Sequence, residues 1–215
     1  MTEPGAASVP AALLAFVAAI LRDVAADADE LNALDGAAGD GDLGLTVRAA
    51  ADAIARLAPD PSPATTGEAV RAIGMELARS APSTAGTLLA FACLAAAAAT
   101  VDPDASPAAE LAIRLEAGLA SIGRRGKSAP GEKTMLDALE PGVRAIEAAI
   151  AAGGSLAEAV EAGARAAVAS AEATAAMTAL HGRAGWLQER SQGHEDPGAH
   201  LVGLLFAAAA RRLRT

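Results

Sequence analysis

Tyrosine is absent from this 215-residue chain, tryptophan occurs once and phenylalanine three times, so aromatic residues make up only 2%. Valine, isoleucine and threonine are sparse too, and without the aromatic and β-branched residues that fit a pleated sheet the chain is a poor source of strands. A single cysteine, Cys93, excludes an internal disulfide and a thiolate metal cage. Set in the apolar run 88–100, it reads as a small core residue. Basic residues are few: 17 Lys and Arg stand against 26 Asp and Glu, a formal charge of −9. That balance argues against a nucleic-acid partner held through its phosphates. No apolar stretch is long enough to span a bilayer, so no membrane partner is expected. The run Ala11–Leu21 has the apolarity of a signal-peptide core, but Glu3 precedes it without any Lys or Arg, and Asp23, Asp27 and Asp29 follow. A cytoplasmic protein is the expectation.

What the chain has in abundance is alanine, 63 residues of 215. Alanine is the strongest helix former, which makes the fold all-α. Neither repeats nor a convincing linker divide the sequence, so one domain over residues 1–215 is expected. Apolar spacing and capping signals predict eight helices. The first covers about 10–34 and the second about 45–57, ending at the proline-rich stretch 59–63. Thr65 with Glu68 opens the third in capping-box spacing. The fourth begins near Gly86, and its nearly continuous apolarity marks it as the most buried. Ser106 before Pro107 opens the fifth. The sixth runs over about 134–152 with a kink expected at Pro141. Ser155 with Glu158 opens the seventh, and Asp196 before Pro197 the eighth. Arg211, Arg212 and Arg214 then sit at the negative end of its dipole. Alanine-rich helices of this kind pack closely, giving a bundle or barrel of eight antiparallel amphipathic helices.

Three glycine-rich loops, 35–44, 123–133 and 181–195, hold most of the unusual polar residues and are where function is expected. The first contains Asp35, Asp40 and Asp42, with Asp35 on the extended apolar stripe of the first helix. Three carboxylates in eight residues suit a hard cation such as Mg²⁺. The spacing is not that of an EF-hand, and an Asp/Gly turn whose acids cap the second helix is the alternative. Because Mg²⁺ usually shares its shell with phosphate oxygens, a nucleotide or phosphorylated ligand follows from the cation reading. The helix starts at Gly44–Thr46 and Ser83–Gly86 offer N–H donors to phosphate, or are ordinary caps. Gly126-Lys127-Ser128 is not a phosphate-cradling loop, since Ser121 stands where its first glycine is required and no strand precedes it. Taken alone, Lys127 and Lys133 read as solvated. Trp186 reads as a packing anchor for the third loop, and no spacing supports a hydrolase triad.

Three stretches in order, Leu31-Asn-Ala-Leu-Asp-Gly-Ala-Ala-Gly-Asp-Gly-Asp42, Pro130-Gly-Glu-Lys-Thr-Met-Leu-Asp137 and Gly182-Arg-Ala-Gly-Trp-Leu187 with Gly193-His-Glu-Asp-Pro-Gly-Ala199, resemble the L subunit, or nucleotide-binding domain, of dihydroxyacetone kinases. The resemblance covers nearly the whole chain. It implies a barrel of eight antiparallel helices with the nucleotide at one end. It also implies that Asp35, Asp40 and Asp42 hold two Mg²⁺ ions bridging the phosphates of ADP or ATP. Leu43, Thr46, Ser83, Thr84 and Gly86 then fall around the phosphates, and the loop Gly126–Pro130 with Met135 borders the adenine. Arg183 approaches the phosphates and counts with the three aspartates as catalytic, while Asp196 fixes its loop by capping the last helix. Two departures stand out: many members have serine in place of Ala85, and carrier-coupled members often have histidine in place of Leu43.

What the resemblance implies in function is transfer of the terminal phosphate of Mg-ATP to dihydroxyacetone or a related short ketose held by a separate K subunit. Phosphoryl transfer asks for positioning and charge neutralisation more than for a protein nucleophile, which suits these residues. A phosphotransferase-system phosphocarrier (M-type) subunit that recharges bound ADP, and a homodimer, are further partners it raises. The rival readings are a non-catalytic nucleotide-binding regulatory or adaptor module and a helical scaffold that binds nothing.

Overall fold

The structure, a computed structural model, describes residues 8–57, 63–182, 185 and 191–214. The all-α expectation is met: nine α-helices are found among the described residues, and no strand. They are α1 (Val9–Ala25), α2 (Ala28–Ala38), α3 (Leu43–Ala55), α4 (Thr66–Ser80), α5 (Thr84–Ala98), α6 (Pro107–Gly126), α7 (Leu136–Ala151), α8 (Leu156–Ala173) and α9 (Pro197–Leu213). A 3₁₀ turn, Thr174–Ala176, follows α8. Eight of the helices close a ring in which α1 packs on α3, each next helix on its successor, and α9 back on α1. The ninth, α2, lies against α3 and α9.

Seven of the eight expected helices appear with starts within about two residues of their capping signals. Ser106 Oγ and Asp196 Oδ2 each accept a backbone N–H from the first turn they open. Ser155 and Glu158 form the full reciprocal box. Thr65 Oγ1 accepts from Glu68, whose carboxylate reaches back to Ala64 N–H at 2.7 Å. Each such cap contributes about 1 kcal/mol. The helix α7 runs on through Pro141.

The eighth, expected as one helix over 10–34, is two. The chain breaks between Ala25 and Ala28 and turns by 62° into α2. No glycine or proline marks the break, and beyond it α2 meets α3 at close range. A Cβ on Gly44 would lie 1.9 Å from the carbonyl oxygen of Ala28, so α2 crosses α3 where only glycine fits. The bend seats Ala28 and Leu31, both fully buried, in the core.

That core has two halves, one built by α6 to α9 around Val143 and Ile122, the other by α1, α3, α4 and α5 around Ile54 and Ile73. Leu31, Leu43, Val47 and Leu201 join the halves at the α2 end. Alanines fill much of the interior: Ala28, Ala69, Ala138, Ala159, Ala167, Ala199 and Ala208 have no exposed surface. Within the ring lies an apolar cavity of about 160 Å³, bounded by Val17, Leu43, Thr46, Gly86, Cys93 and Leu205 among others. Burial beside it pushes the Cys93 thiol up to about 11.

The helix expected to be most buried, α5, is not. Only Gly86, Ala90 and Ala96 are buried in it, while Thr84 and Thr87 are exposed and Phe91 and Leu94 half-buried. Alanine sits equally well on either face of a helix, so an alanine run carries no information on depth. No single helix among the described residues is long and apolar enough to cross a membrane.

Candidate functional site

The acidic loop is tied into a corner by its own backbone. α2 extends past the expected end at Leu34 and carries Asp35 in its last turns; Asp40 and Asp42 lie in the short connection to α3. Oxygens of Asp35, Asp40 and Asp42 come within 4.8 Å of one another, with Asp35 half-buried and the other two exposed. Hard carboxylate oxygens converging in this way have the donor chemistry of a Mg²⁺ or Ca²⁺ site, and three like charges so close together repel unless a cation joins them.

Asp35 has a second task. Its Oδ2 accepts the N–H groups of Asp42 at 2.9 Å and Leu43 at 3.2 Å, and Asn32 Oδ1 accepts that of Gly44 at 2.7 Å. The start of α3 is therefore capped from α2, three residues apart on one helical face, and not by Asp42 at its own N-cap position. The turn-and-cap reading and the cation reading thus describe one corner. Asn32 went unrecognised from the sequence; its place one turn before Asp35 was the available signal.

The two helix starts proposed for phosphate border the same cavity, which Leu43 and Thr46 line from α3 and Gly86 from α5. Leu43 is buried in the core, and Thr46 is half-buried. Ser83 caps α5 through its Oγ and the Gly86 N–H at 3.1 Å, and Thr84 is exposed in the first turn. Gly86 is there because a Cβ would lie 2.2 Å from the carbonyl oxygen of Ala81. Ala85 packs into the core and lines the cavity.

At the other corner Gly126 ends α6 and Lys127, exposed, turns the chain with φ 51°. This is a helix C-terminus, consistent with the rejected phosphate-cradling loop. Pro130 is exposed and Met135 buried in the core beside Gly198. The solvated reading holds for Lys127 and fails for Lys133. Lys133 is 5% exposed, has φ 58°, and its ammonium donates to the carbonyls of Met177, Ser191 and His194 at 3.2, 2.5 and 2.8 Å. Burial lowers its pKa against the opposing pull of Asp196. Nothing in the spacing of the loop distinguished it from Lys127, since its partners lie more than 40 residues away. Buried Asp137 accepts the N–H groups of Gly131 at 2.5 Å and Thr134 at 2.6 Å, fixing the turn that enters α7. Asp196 caps α9 through Ala199 N–H at 2.7 Å; burial pushes its carboxyl up to about 6. Arg183 and Trp186 lie outside the described residues.

Together the fold and this site define an all-α protein whose helical ring carries a cation-type carboxylate cluster at one corner, beside two helix N-termini. The chain belongs to the DAK2 domain family, whose profile matches residues 37–211. Over 178 residues it is 35% identical to the protein named PEP-dependent dihydroxyacetone kinase 1, ADP-binding subunit DhaL, of Listeria innocua, with 83% of this chain and 84% of that one covered. The corresponding DhaL subunit of Escherichia coli K12 is 32% identical over 184 residues, covering 86% and 88%. The rat triokinase/FMN cyclase is 35% identical over 188 residues, 87% of this chain but 32% of that one, so this chain spans about a third of such longer relatives. Among solved structures, the dihydroxyacetone kinase from C. freundii in complex with AMP-PNP and Mg²⁺ aligns with a TM-score of 0.70 at 27% identity, over 99% of this chain and 37% of that one.

Proposed function

We propose that this chain is the nucleotide-binding subunit of a dihydroxyacetone-type kinase, a phosphotransferase with an alcohol acceptor that works only with a ketose-binding K subunit. The observation that carries the reading is the convergence of Asp35, Asp40 and Asp42 beside the starts of α3 and α5, in a chain that matches ADP-binding subunits over most of both lengths. Asp35, Asp40 and Asp42 would hold Mg²⁺, two ions in our reading, whose charge neutralises the phosphate tail of ADP or ATP and orients it. Leu43, Thr46, Ser83, Thr84 and Gly86, at the starts of α3 and α5, would border the phosphates. Gly126, Pro130 and Met135 would border the adenine, and Arg183 would meet the phosphates. Asp196 would hold the third loop by its cap on α9. The four residues we assign to the reacting phosphate are Asp35, Asp40, Asp42 and Arg183. The acceptor is dihydroxyacetone or a related short ketose, and the compartment the cytoplasm.

Two supply modes follow from the two kinds of relative: free exchange of ATP, or bound ADP recharged by a phosphocarrier. Leu43, buried in the core where carrier-coupled members often have histidine, favours exchange, while the stretch Glu189-Arg190-Ser191 with His194 resembles the carrier-coupled members. Calorimetric titration of the purified chain with ADP tests the reading. Binding in Mg²⁺ that disappears in EDTA is expected, as is ketose phosphate formation once a K subunit and ATP are added. A folded, nucleotide-free chain that binds no ADP in Mg²⁺, with or without the K subunit, overturns it.

A further inference from the structure

The acidic loop is held against the last turns of α2 at four successive points. Gly39 N–H donates to the Asp35 carbonyl at 2.5 Å, and a Cβ on Gly39 would lie 2.8 Å from Asp35 Oδ1. Gly41, with φ 74°, passes close enough that a Cβ there would lie 3.4 Å from the Asn32 carbonyl oxygen. Asp35 Oδ2 then accepts the N–H groups of Asp42 and Leu43, and Asn32 Oδ1 accepts that of Gly44 at 2.7 Å. Asp40 stands between the first two points and Asp42 follows the second, so α2 decides where both carboxylates lie.

Asn32 makes two of these four contacts and is the only one of the two α2 residues that is not itself a carboxylate. Gly44 is buried, and its N–H, at the start of α3, has no partner within that helix; losing the amide would leave a buried donor unmade. An amide suits the position, because it offers a carbonyl oxygen to the helix start without adding a fourth negative charge beside three that already repel. The same helix start orients Asp35, whose Oδ2 is engaged by Asp42 and Leu43 while Oδ1 lies over Gly39 in the acidic loop.

We propose that Asn32 is a positioning residue for the acidic site: by holding the start of α3 on α2, it keeps the carboxylates of Asp35, Asp40 and Asp42 gathered before a cation arrives. This deepens the kinase reading and rests on those three residues taking Mg²⁺. Bringing three like charges together is then accomplished in folding, and a cation that meets them already placed binds more tightly.

The test compares Asn32→Leu, near in size but without an acceptor, with Asn32→Asp, which restores one. Calorimetric affinity for Mg-ADP is expected to fall about tenfold or more in Asn32→Leu, the range for losing a group that supports a metal's ligands. In Asn32→Asp it should stay within about threefold of wild type or exceed it, since a carboxylate accepts the Gly44 N–H at least as well. In the ligand-free chain, amide hydrogen exchange at Gly44 should quicken in Asn32→Leu and not in Asn32→Asp. A cap far from the site is the control: Thr65→Ala removes the acceptor that opens α4 and should lower the urea midpoint without changing Mg-ADP affinity. Wild-type affinity in Asn32→Leu, equal weakness in Asn32→Asp, or unchanged exchange at Gly44 each overturns the proposal. So does a comparable loss of affinity in Thr65→Ala, which would trace the effect to general loosening. A wild-type chain that binds no Mg-ADP, with or without the K subunit, overturns the kinase reading and this role with it, so the two failures are told apart. Should Asn32→Leu fold poorly, Asn32→Ala carries the same measurements, and wild-type affinity there overturns the proposal.

Discussion

Two corners of the ring handle charge in opposite ways. At the α2–α3 corner three carboxylates converge, two of them exposed to solvent. At the corner where α6, α7, α8 and α9 meet, charge is matched internally: Lys133 is enclosed by carbonyls, Asp137 by the turn before α7, and Asp196 by the first turn of α9. A cluster of one sign is costly in itself, and in our proposal a cation offsets that cost. A charge surrounded by complementary backbone groups is already complete and serves as scaffold. On our proposal the first kind binds and the second holds loops in place.

The sharpest test of that contrast lies within the acidic corner itself. Asp40→Asn with Asp42→Asn should weaken Mg-ADP binding by at least roughly 100-fold, the upper range for losing even the partners that support a metal's ligands, while stability to urea without metal is retained or raised because two repelling charges are gone. Asp35→Ala should do both kinds of damage: the same loss of nucleotide, and about 1–2 kcal/mol of stability, because Asp35 also caps α3 through Asp42 and Leu43. The half-buried position of this carboxylate on an apolar stripe would, taken alone, predict a gain in stability on its removal; equal or greater stability of Asp35→Ala would show that reasoning to be right and the cap irrelevant.

The second test concerns the scaffold corner and its pH dependence. With its folded pKa raised from 3.8 to about 6, Asp196 binds more protons in the native state than in the unfolded chain between those values. Its contribution to stability therefore falls as pH rises from about 4 to 6, and is recovered on acidification. Urea midpoints across this range should rise more with pH, or fall less, for Asp196→Asn than for wild type, its amide oxygen retaining the cap on α9. A slope identical to wild type would mean that Asp196 is not desolvated in solution. The smallest effect is expected from Arg48→Ala. That residue pairs with Asp29 at 2.9 Å on the exposed side of the acidic corner, and its loss should cost less than about 0.5 kcal/mol in the same assay.

The sequence shows the helices plainly wherever a polar cap precedes a periodic stripe. Ser106, Ser155 and Asp196 are local signals with local partners. The break before α2 was illegible because no glycine or proline marks it, and the close crossing it leads to depends on a glycine sixteen residues away that admits the Ala28 carbonyl. Burial of α5 was misread for a different reason: periodicity ranks faces by side-chain apolarity, and alanine has too little side chain to rank. In the site, the three aspartates stood out because like charges rarely crowd into eight residues without cause. Lys133 did not, since its three acceptors are backbone carbonyls, which every residue carries and no sequence displays.

At its alanine positions the interior has an inverted mutational profile. Where a core is made of large side chains, the damaging changes are truncations. Here Ala69, Ala138, Ala159, Ala167, Ala199 and Ala208 sit with no exposed surface and have almost nothing to truncate. The injurious direction is growth, since each added methyl pushes two helix backbones apart. One place escapes the rule. Ala50, Ala81 and Ala85 border the empty space inside the ring, where a valine has somewhere to go. A scan to valine across the buried alanines would draw that void in outline, as a patch of tolerance within an intolerant wall.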